Sequence, residues 1–276
     1  MLENNITFLI TTYKSRSIIN DCLASIPENY AKIIIENSND KEMKQMIEKK
    51  FKNTKCYLMD SNLGYGKANN FGIMKSETDF VYILNPDTII YKSEFYKMLK
   101  YLDGEDFAIC APIVRENGNT YDNQIKSEEK LKEVNSVPGM ALIINKKKFN
   151  NNYFDENIFL YLEEIDLCKR IINKGEKILQ VNSIVSHKGG MSHGEYNYEM
   201  EKSRNWHWMW SKFYFQKKYK GFFWSFLITF PILINLILKC CLLRIIFSNK
   251  LFIYQSRLSG LIASILGKKS YFRPKL

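Results

Sequence analysis

Metal-binding and cross-linking residues are sparse in this chain. Its six cysteines, Cys22, Cys56, Cys110, Cys168, Cys240 and Cys241, are scattered with no Cys-x-x-Cys spacing. That argues against a zinc site or a disulfide framework and fits a reducing compartment. Histidine is rarer still, with three in 276 residues. The opening Met1-Leu2-Glu3-Asn4-Asn5 has no basic stretch ahead of a long apolar run, so no cleaved signal is expected. No recognised nucleic-acid-binding motif occurs, which counts against nucleic acid as the reason for the net charge of +11. That charge still implies an anionic partner, such as a nucleotide or an acidic membrane surface. At 46% hydrophobic and 25% charged residues, the chain is globular, with length for one large domain and an appendage.

What is present is an alternation of short β-branched runs with helical stretches. Ile6 to Thr12 and Lys32 to Ile35 read as strands, with a helix over Ser17 to Ile26 between them. Lys41 to Phe51 reads as an amphipathic helix, and Lys55 to Met59 and Phe80 to Leu84 as further strands. This alternation predicts an α/β fold with a parallel sheet and crossover helices. The strands end in polar groups: Thr11-Thr12-Tyr13, Glu36-Asn37-Ser38-Asn39 and Asn85-Pro86-Asp87. All three should lie on the carboxyl edge of the sheet, where open α/β folds bind ligands. Pro86 cuts off its strand and lets Asp87 emerge there. A carboxylate beside Asn85 suits an oxygen-preferring divalent cation, Mg²⁺ or Mn²⁺, that also holds a diphosphate. Taken alone, the same tripeptide is ordinarily just a polar turn, and its company along the chain is what gives it weight. Between these strands, Asn62-Leu63-Gly64-Tyr65-Gly66 with Asn69-Asn70 offers glycines for close backbone approach and amides at the start of a helix.

A second group lies mid-chain, where Val137-Pro138-Gly139-Met140 turns into an apolar strand and Phe154-Asp155-Glu156 precedes Leu162-Glu163-Glu164-Ile165-Asp166. Leu162, Ile165, Cys168 and Ile172 recur at helical spacing, and Gly175 is placed to end the helix. The acids fall in its first turn, where the helix dipole favours them. Glu164 and Asp166 are about 200° apart around the axis, so one of them at most faces a given site. Asp166 is also spaced to pair with Arg170. Lys177 to Val185 reads as a strand that opens into Ser186-His187-Lys188-Gly189-Gly190-Met191-Ser192-His193. Two of the three histidines in one glycine-rich loop point to a ligand role for His187, against the ordinary reading of a solvated loop histidine.

Gly221 to Leu238 carries no charge, a run of about the minimum length for a bilayer span. It follows the basic, aromatic stretch Trp206 to Tyr219. A second apolar stretch, Leu251 to Leu266, is interrupted by Arg257, and the tail from Lys268 is basic. Basic flanks on both sides fit a re-entrant hairpin or two interfacial helices better than a single span, with Pro231 as the bend. The other reading is a helical hairpin buried against the rest of the chain. The expected division is 1–205 and 206–276.

Taken in order, Thr11-Thr12-Tyr13, Glu36-Asn37-Ser38, Asn62-Leu63-Gly64-Tyr65-Gly66 with Asn69-Asn70-Phe71-Gly72, Leu84-Asn85-Pro86-Asp87-Thr88, Phe154-Asp155-Glu156 with Glu163-Glu164-Ile165-Asp166-Leu167, and Val185-Ser186-His187 resemble glycosyltransferase family 2. The rhamnosyltransferase-like and galactofuranosyltransferase-like branch is the more similar one, over roughly residues 5 to 195. The resemblance implies a GT-A fold, a Rossmann-like and mostly parallel sheet flanked by helices. It also implies inverting transfer of a sugar from a nucleotide-diphosphate donor to an acceptor hydroxyl. It assigns Thr11, Tyr13 and Glu36 to the base and ribose, and Asn62, Gly64, Asn70 and Asn85 to the donor more broadly. Asp87 and His187 match metal positions at the diphosphate, with Mg²⁺ or Mn²⁺ as the cofactor. Glu164 matches the catalytic base and Asp166 a supporting acid. Four departures stand out: Lys14 where Asn is usual, Glu36 where Asp is common, Glu164 where Asp is usual, and Asn85 in place of the first Asp of Asp-x-Asp. A carboxylate is kept at all three acid positions, which favours an active enzyme over an inert nucleotide-sugar-binding or scaffolding relative. With the apolar tail, the expected acceptor is a saccharide, above all a lipid-linked one, in cell-surface polysaccharide assembly at the cytoplasmic face of the cell membrane.

Overall fold

The strands that carry the polar ends, β1 (Ile6–Thr12), β2 (Ala31–Glu36) and β4 (Phe80–Leu84), lie side by side and parallel, with Thr12 level with Glu36 and Ile10 level with Leu84. Their carboxyl ends therefore share one edge, as the sequence pattern predicts. The computed structural model describes residues 2–116, 118–121, 123–126, 128–189 and 197–274. Among these, the remaining strands are β3 (Thr54–Leu58), β5 (Thr88–Ile90), β6 (Ile109–Glu116), β7 (Asn119–Tyr121), β8 (Leu131–Glu133), β9 (Ala141–Asn145) and β10 (Ile178–His187). The sheet runs β3-β2-β1-β4-β9-β6-β10-β5, with β7 on β6 and β8 on β10. It is parallel through β4. Beyond that point β9 inserts antiparallel between β4 and β6, so the whole is mixed and less parallel than expected.

The central strands are apolar throughout because both faces of the sheet are covered. Alternate side chains go to opposite sides. Phe8, Ile10, Ile34, Tyr82 and Leu84 join one core, while Leu9, Ile33, Ile35, Val81 and Ile83 join the other. Helices α1 (Ile19–Ser25), α2 (Lys41–Lys50) and α4 (Lys92–Leu102) close the first face through residues such as Leu23, Ile47 and Met98. Helices α3 (Tyr65–Lys75) and α5 (Glu163–Ile172) close the second. The buried stripe of α5 is Leu167, Cys168 and Ile171, whereas Ile172 is 36% exposed. Of the predicted Leu162, Ile165, Cys168 and Ile172 only Cys168 reaches the core, for Leu162 precedes the helix, Ile165 is half-buried and Ile172 faces outward.

The chain divides into two compact units, Met1–Asp155 with Glu164–Gly194, and Glu156–Glu163 with Glu195–Leu276. The second unit contains α6 (Tyr198–Ile245) and α7 (Leu251–Ile265). Gly221, at φ 77° and ψ 170°, breaks α6 into limbs 198–220 and 222–245. A positive φ costs glycine little, so this is where the chain folds over. Pro231, the predicted bend, lies inside continuous helix.

Candidate active site

Asp87 is fixed by the turn that Pro86 imposes. Asn85 N donates to Met140 O at 2.9 Å, Thr88 N to Asn85 O at 3.1 Å, and Lys188 N to Asp87 O at 3.1 Å. The side chain of Asp87 is fully buried, yet neither carboxylate oxygen receives an aligned hydrogen bond. A buried carboxylate without an aligned hydrogen bond is costly, and it favours positive charge beside it. His187 stands beside it, with Nε2 3.2 Å from Asp87 Oδ1. The side-chain amide of Asn85 lies 3.4 Å from the same nitrogen.

The sequence pattern puts His187 in a loop, but it is the last residue of β10, held between Glu116 on β6 and Thr88 on β5 by strand register. His193 falls outside the described residues. On the far side of the ring, His187 Nδ1 lies 3.3 Å from Glu116 Oε2. Burial works against the imidazolium, but Asp87 and then Glu116 outweigh it, so the histidine titrates above its ordinary range. Gly189 leaves the room that Glu116 occupies, since a Cβ there would come 1.8 Å from Glu116 Oε1. Glu116 was missed in the sequence because only the β6–β10 pairing reveals it.

The other strand ends close around a polar recess. Glu36 is buried, and its carboxylate accepts from Ser38 N, at 3.0 Å to each oxygen, and from Asp40 N at 2.7 Å, shaping the loop after β2. Tyr13 is hydrogen-bonded to the Asn62 side chain, and burial, with Glu36 nearby, raises its phenol pKa. Asn62 Oδ1 in turn accepts from Gly64 N at 3.0 Å, and Gly64 adopts φ 80° to open α3. Thr11 Oγ1 donates to Asn69 Oδ1 at 2.8 Å, so Asn69 is the amide that joins this row. Asn70 is clamped on the backbone of Phe154, donating to its O and accepting from its N, both at 2.9 Å. Thr11, Tyr13, Glu36 and Asn62 thus gather around the ends of β1 and β2, while Asn70 ties α3 to the segment before α5.

The acid pair of α5 divides as its spacing requires. Asp166 is fully buried and ion-paired with Arg170 at 2.8 Å, and Arg170 also donates to Tyr153 O. Glu164 points elsewhere. The Cβ of a side chain at Gly139 would lie 3.3 Å from Glu164 Cβ, so that glycine makes room for the acid. Burial raises the carboxyl pKa of Glu164. Just ahead of the helix, Tyr161 and Leu162 both take left-handed backbone, at φ 71° and 69°. Such conformations are strained for side chains of this size and concentrate at functional sites. Met140 O, next to Gly139, accepts from both Asn85 N at 2.9 Å and Thr88 Oγ1 at 3.3 Å. A single two-residue segment therefore touches both Glu164 and the Asp87 turn.

The donor set at Asp87 suits a hard to borderline divalent cation: one buried carboxylate without hydrogen bonds and one imidazole nitrogen. Among the described residues, no three His, Cys, Asp or Glu side chains cluster as a complete ligand set. Asp87 and His187 would hold such an ion from one side, leaving the other side for ligand oxygens and water.

The mixed sheet covered on both faces, with Asp87 at its carboxyl edge, is a GT-A fold, which solved structures share. The chain belongs to glycosyltransferase family 2, whose pattern it matches over residues 7–168. It is 24% identical over 192 residues to the low-salt glycan biosynthesis hexosyltransferase Agl10 of Haloferax volcanii, a match covering 60% of this chain and 61% of that one. It is 21% identical over 216 residues to the rhamnosyltransferase WbbL of Escherichia coli, covering 65% and 80%. Among solved structures, the mannosyltransferase PcManGT from Pyrobaculum calidifontis, in complex with GDP-Man and Mn²⁺, superposes with a TM-score of 0.57 at 9% identity, covering 96% of this chain and 88% of that one.

Proposed function

We propose that the chain is an inverting transferase that moves a sugar from a nucleotide-diphosphate sugar to an acceptor hydroxyl. The observation that carries this reading is the buried Asp87 carboxylate, without hydrogen bonds and paired with His187, at the carboxyl edge of β4. Thr11, Tyr13, Glu36 and Asn62 would bound the nucleoside end of the donor, with Gly64, Asn70 and Asn85 supporting it. Asp87 and His187 would hold Mg²⁺ or Mn²⁺. Such a cation, when bound, neutralises charge on the departing diphosphate. Glu164 would take the acceptor hydroxyl proton as that oxygen bonds to the anomeric carbon. The bond to the diphosphate breaks at the same time, and its electron pair leaves with the nucleoside diphosphate. A raised carboxyl pKa improves Glu164 as a base near neutral pH. Asp166, paired with Arg170, would hold the helix that presents Glu164.

For the acceptor, the name of the Haloferax volcanii relative points to glycan biosynthesis, and the apolar tail of this chain points to a membrane. We take the acceptor to be a saccharide, lipid-linked, used at the cytoplasmic face of the cell membrane. The division of labour follows as 1–205 for catalysis and 206–276 for membrane association. The test is thermal unfolding of the detergent-solubilised protein with UDP-, dTDP- and GDP-sugars, each with and without Mn²⁺, since a ligand bound to the native state raises the midpoint. A metal-dependent rise that disappears in Asp87→Ala supports the reading. No rise with any donor overturns it.

A further inference from the structure

The second limb of α6 is apolar on both sides, for Leu236 is buried inward with Phe226, Ile232 and Leu233 partly buried beside it, and the outward side is apolar as well. Its fully buried positions include Ser225 and Thr229, whose hydroxyls donate back to Gly221 O and Ser225 O, each at 2.7 Å. Its outward positions are large and apolar: Phe223 is 66% exposed, Trp224 61%, Leu238 63% and Ile245 72%. A helix covered by its own protein on one side and by water on the other carries polar residues on its outward side instead. The outward face is a continuous apolar strip of the kind that marks an interaction surface.

The other helices of this unit limit how that strip meets an apolar phase. α7 runs alongside the first limb at a nearly constant offset. Tyr198 meets Phe252 at 4.4 Å, Trp206 Nε1 donates to Ser259 Oγ at 3.3 Å, and Ser264 Oγ donates to Trp210 O at 2.9 Å. These two helices are therefore parallel. Only residues 246–250 join the second limb to α7, and Lys239 reaches the ring of Tyr254 at 4.9 Å, so the second limb runs back between them. The result is an up-down-up bundle whose three segments share one hydrophobic cluster. Exposed basic residues stand at both of its ends, Lys217, Lys218 and Lys220 at the Gly221 end and Lys239, Arg244 and Lys250 at the other. Re-entry tip first would sink three lysines into hydrocarbon. Spanning would carry the same lysines across the bilayer and leave Lys212 of the first limb at mid-depth. Both rank among the costliest placements for a charged side chain.

We infer that this unit is a monotopic mount on an anionic bilayer. The second limb of α6 lies along the surface, its strip sunk into the boundary between headgroups and acyl chains, and the basic residues at both ends contact acidic headgroups. The inference rests on the membrane part of the reading above and specifies its geometry.

The test uses the full chain with Cys240→Ser and Cys241→Ser, which leaves only the buried Cys22, Cys56, Cys110 and Cys168, and adds one exposed cysteine at a time by Phe223→Cys, Ile234→Cys or Ile245→Cys. Each is labelled with a polarity-sensitive fluorophore and mixed with phosphatidylcholine vesicles, with and without phosphatidylserine, that contain quenchers at defined depths. The replaced side chains are exposed, and donor-dependent thermal stabilisation checks that each variant is folded. The expected result is shallow quenching of the same depth at all three positions, with binding at least about tenfold weaker when phosphatidylserine is omitted. Midplane quenching at 234 flanked by shallow quenching at 223 and 245 means a span and overturns the inference. Deepest quenching at 223 means re-entry and also overturns it. No quenching on any vesicle removes both this inference and the membrane reading, while donor-dependent stabilisation would still report separately on the transferase reading.

Discussion

Glu116 and His187 face each other across β6 and β10, with Oε2 and Nδ1 3.3 Å apart. An imidazole that gives its Nδ1 proton to a carboxylate presents the Nε2 lone pair to whatever Asp87 holds. Partners of this kind orient metal-binding histidines, and their loss weakens metal affinity by about 10–100-fold. Glu116→Ala should weaken Mn²⁺ binding, read by titration in the presence of a nucleoside diphosphate, by that amount while leaving the unfolding midpoint of the ligand-free protein nearly unchanged. Glu116→Gln, which still accepts a hydrogen bond, should recover part of it. Equal affinity in all three proteins would remove Glu116 from the site.

Glu164 yields a prediction about pH. A base works in its deprotonated form, so kcat/KM should fall as pH drops through the carboxyl pKa of Glu164, and burial puts that fall at higher pH than for an ordinary glutamate. Glu164→Gln should lower turnover by about 10²–10⁴-fold and abolish that acidic limb. Metal-dependent donor stabilisation should survive, because glutamine keeps the size and shape of the side chain and so leaves the Gly139–Met140 contact with the Asp87 turn in place. Undiminished turnover in the glutamine variant would mean that the proton goes elsewhere.

Asp40 carries two structural duties. Its Oδ1 accepts from Met43 N at 2.9 Å to cap α2, and it pairs with Arg16, which also reaches Glu42. The Arg16 hydrogen bond is the leading reason that its carboxyl pKa is lowered. Asp40→Ala should cost about 1 kcal/mol, mainly as a lost helix cap, and Asp40→Asn, which keeps the cap, should cost less. The sign of its linkage follows from the lowered pKa: the contribution is complete above the unfolded carboxylate pKa and fades as pH falls through the lower folded value. Urea denaturation at pH 7 and pH 3 measures both effects.

His207 predicts acid sensitivity in the helical unit. It is fully buried, with Nε2 2.9 Å from Phe272 O and Nδ1 3.0 Å from Ser270 Oγ, so the neutral ring donates to the carbonyl and accepts from the hydroxyl. Burial is the main cause that lowers its pKa from 6.5 to about 3. Between these values the unfolded chain binds a proton that the folded one refuses, so stability is lost as pH falls through 6.5. The expected loss between pH 7 and pH 5 is about 2 kcal/mol. His207→Gln should flatten that slope even if it lowers stability at every pH, and an unchanged slope would assign the acid sensitivity to other groups.

Much of the first unit was legible because its signals are local. Apolar runs that stop at Thr12, Glu36 and Leu84 mark strands, and Pro86 marks where one of them stops, so the polar edge follows from chain order alone. The Asp166–Arg170 pair follows from spacing along one helix. What could not be read depends on distant pairing. Glu116 meets His187 only because β6 and β10 share a register across 71 residues. The insertion of β9 between β4 and β6 leaves no trace in its own apolar run, which would suit a parallel strand equally well. The break in α6 was placed at Pro231 because proline removes a backbone donor. The exposed helix tolerates that loss, and the fold-over occurs at Gly221 because only there does the backbone need a positive φ.

Gly139 and Met140 leave the acid and the donor turn little independence. Met140 holds the turn that ends in Asp87 through two hydrogen bonds, and its neighbour Gly139 abuts Glu164. Close-packed interiors pass displacement on to the next group. A settling of the Asp87 turn around a bound diphosphate would therefore be felt at Glu164 within two residues, so that on the proposed reading occupancy of one half of the site resets the geometry of the other.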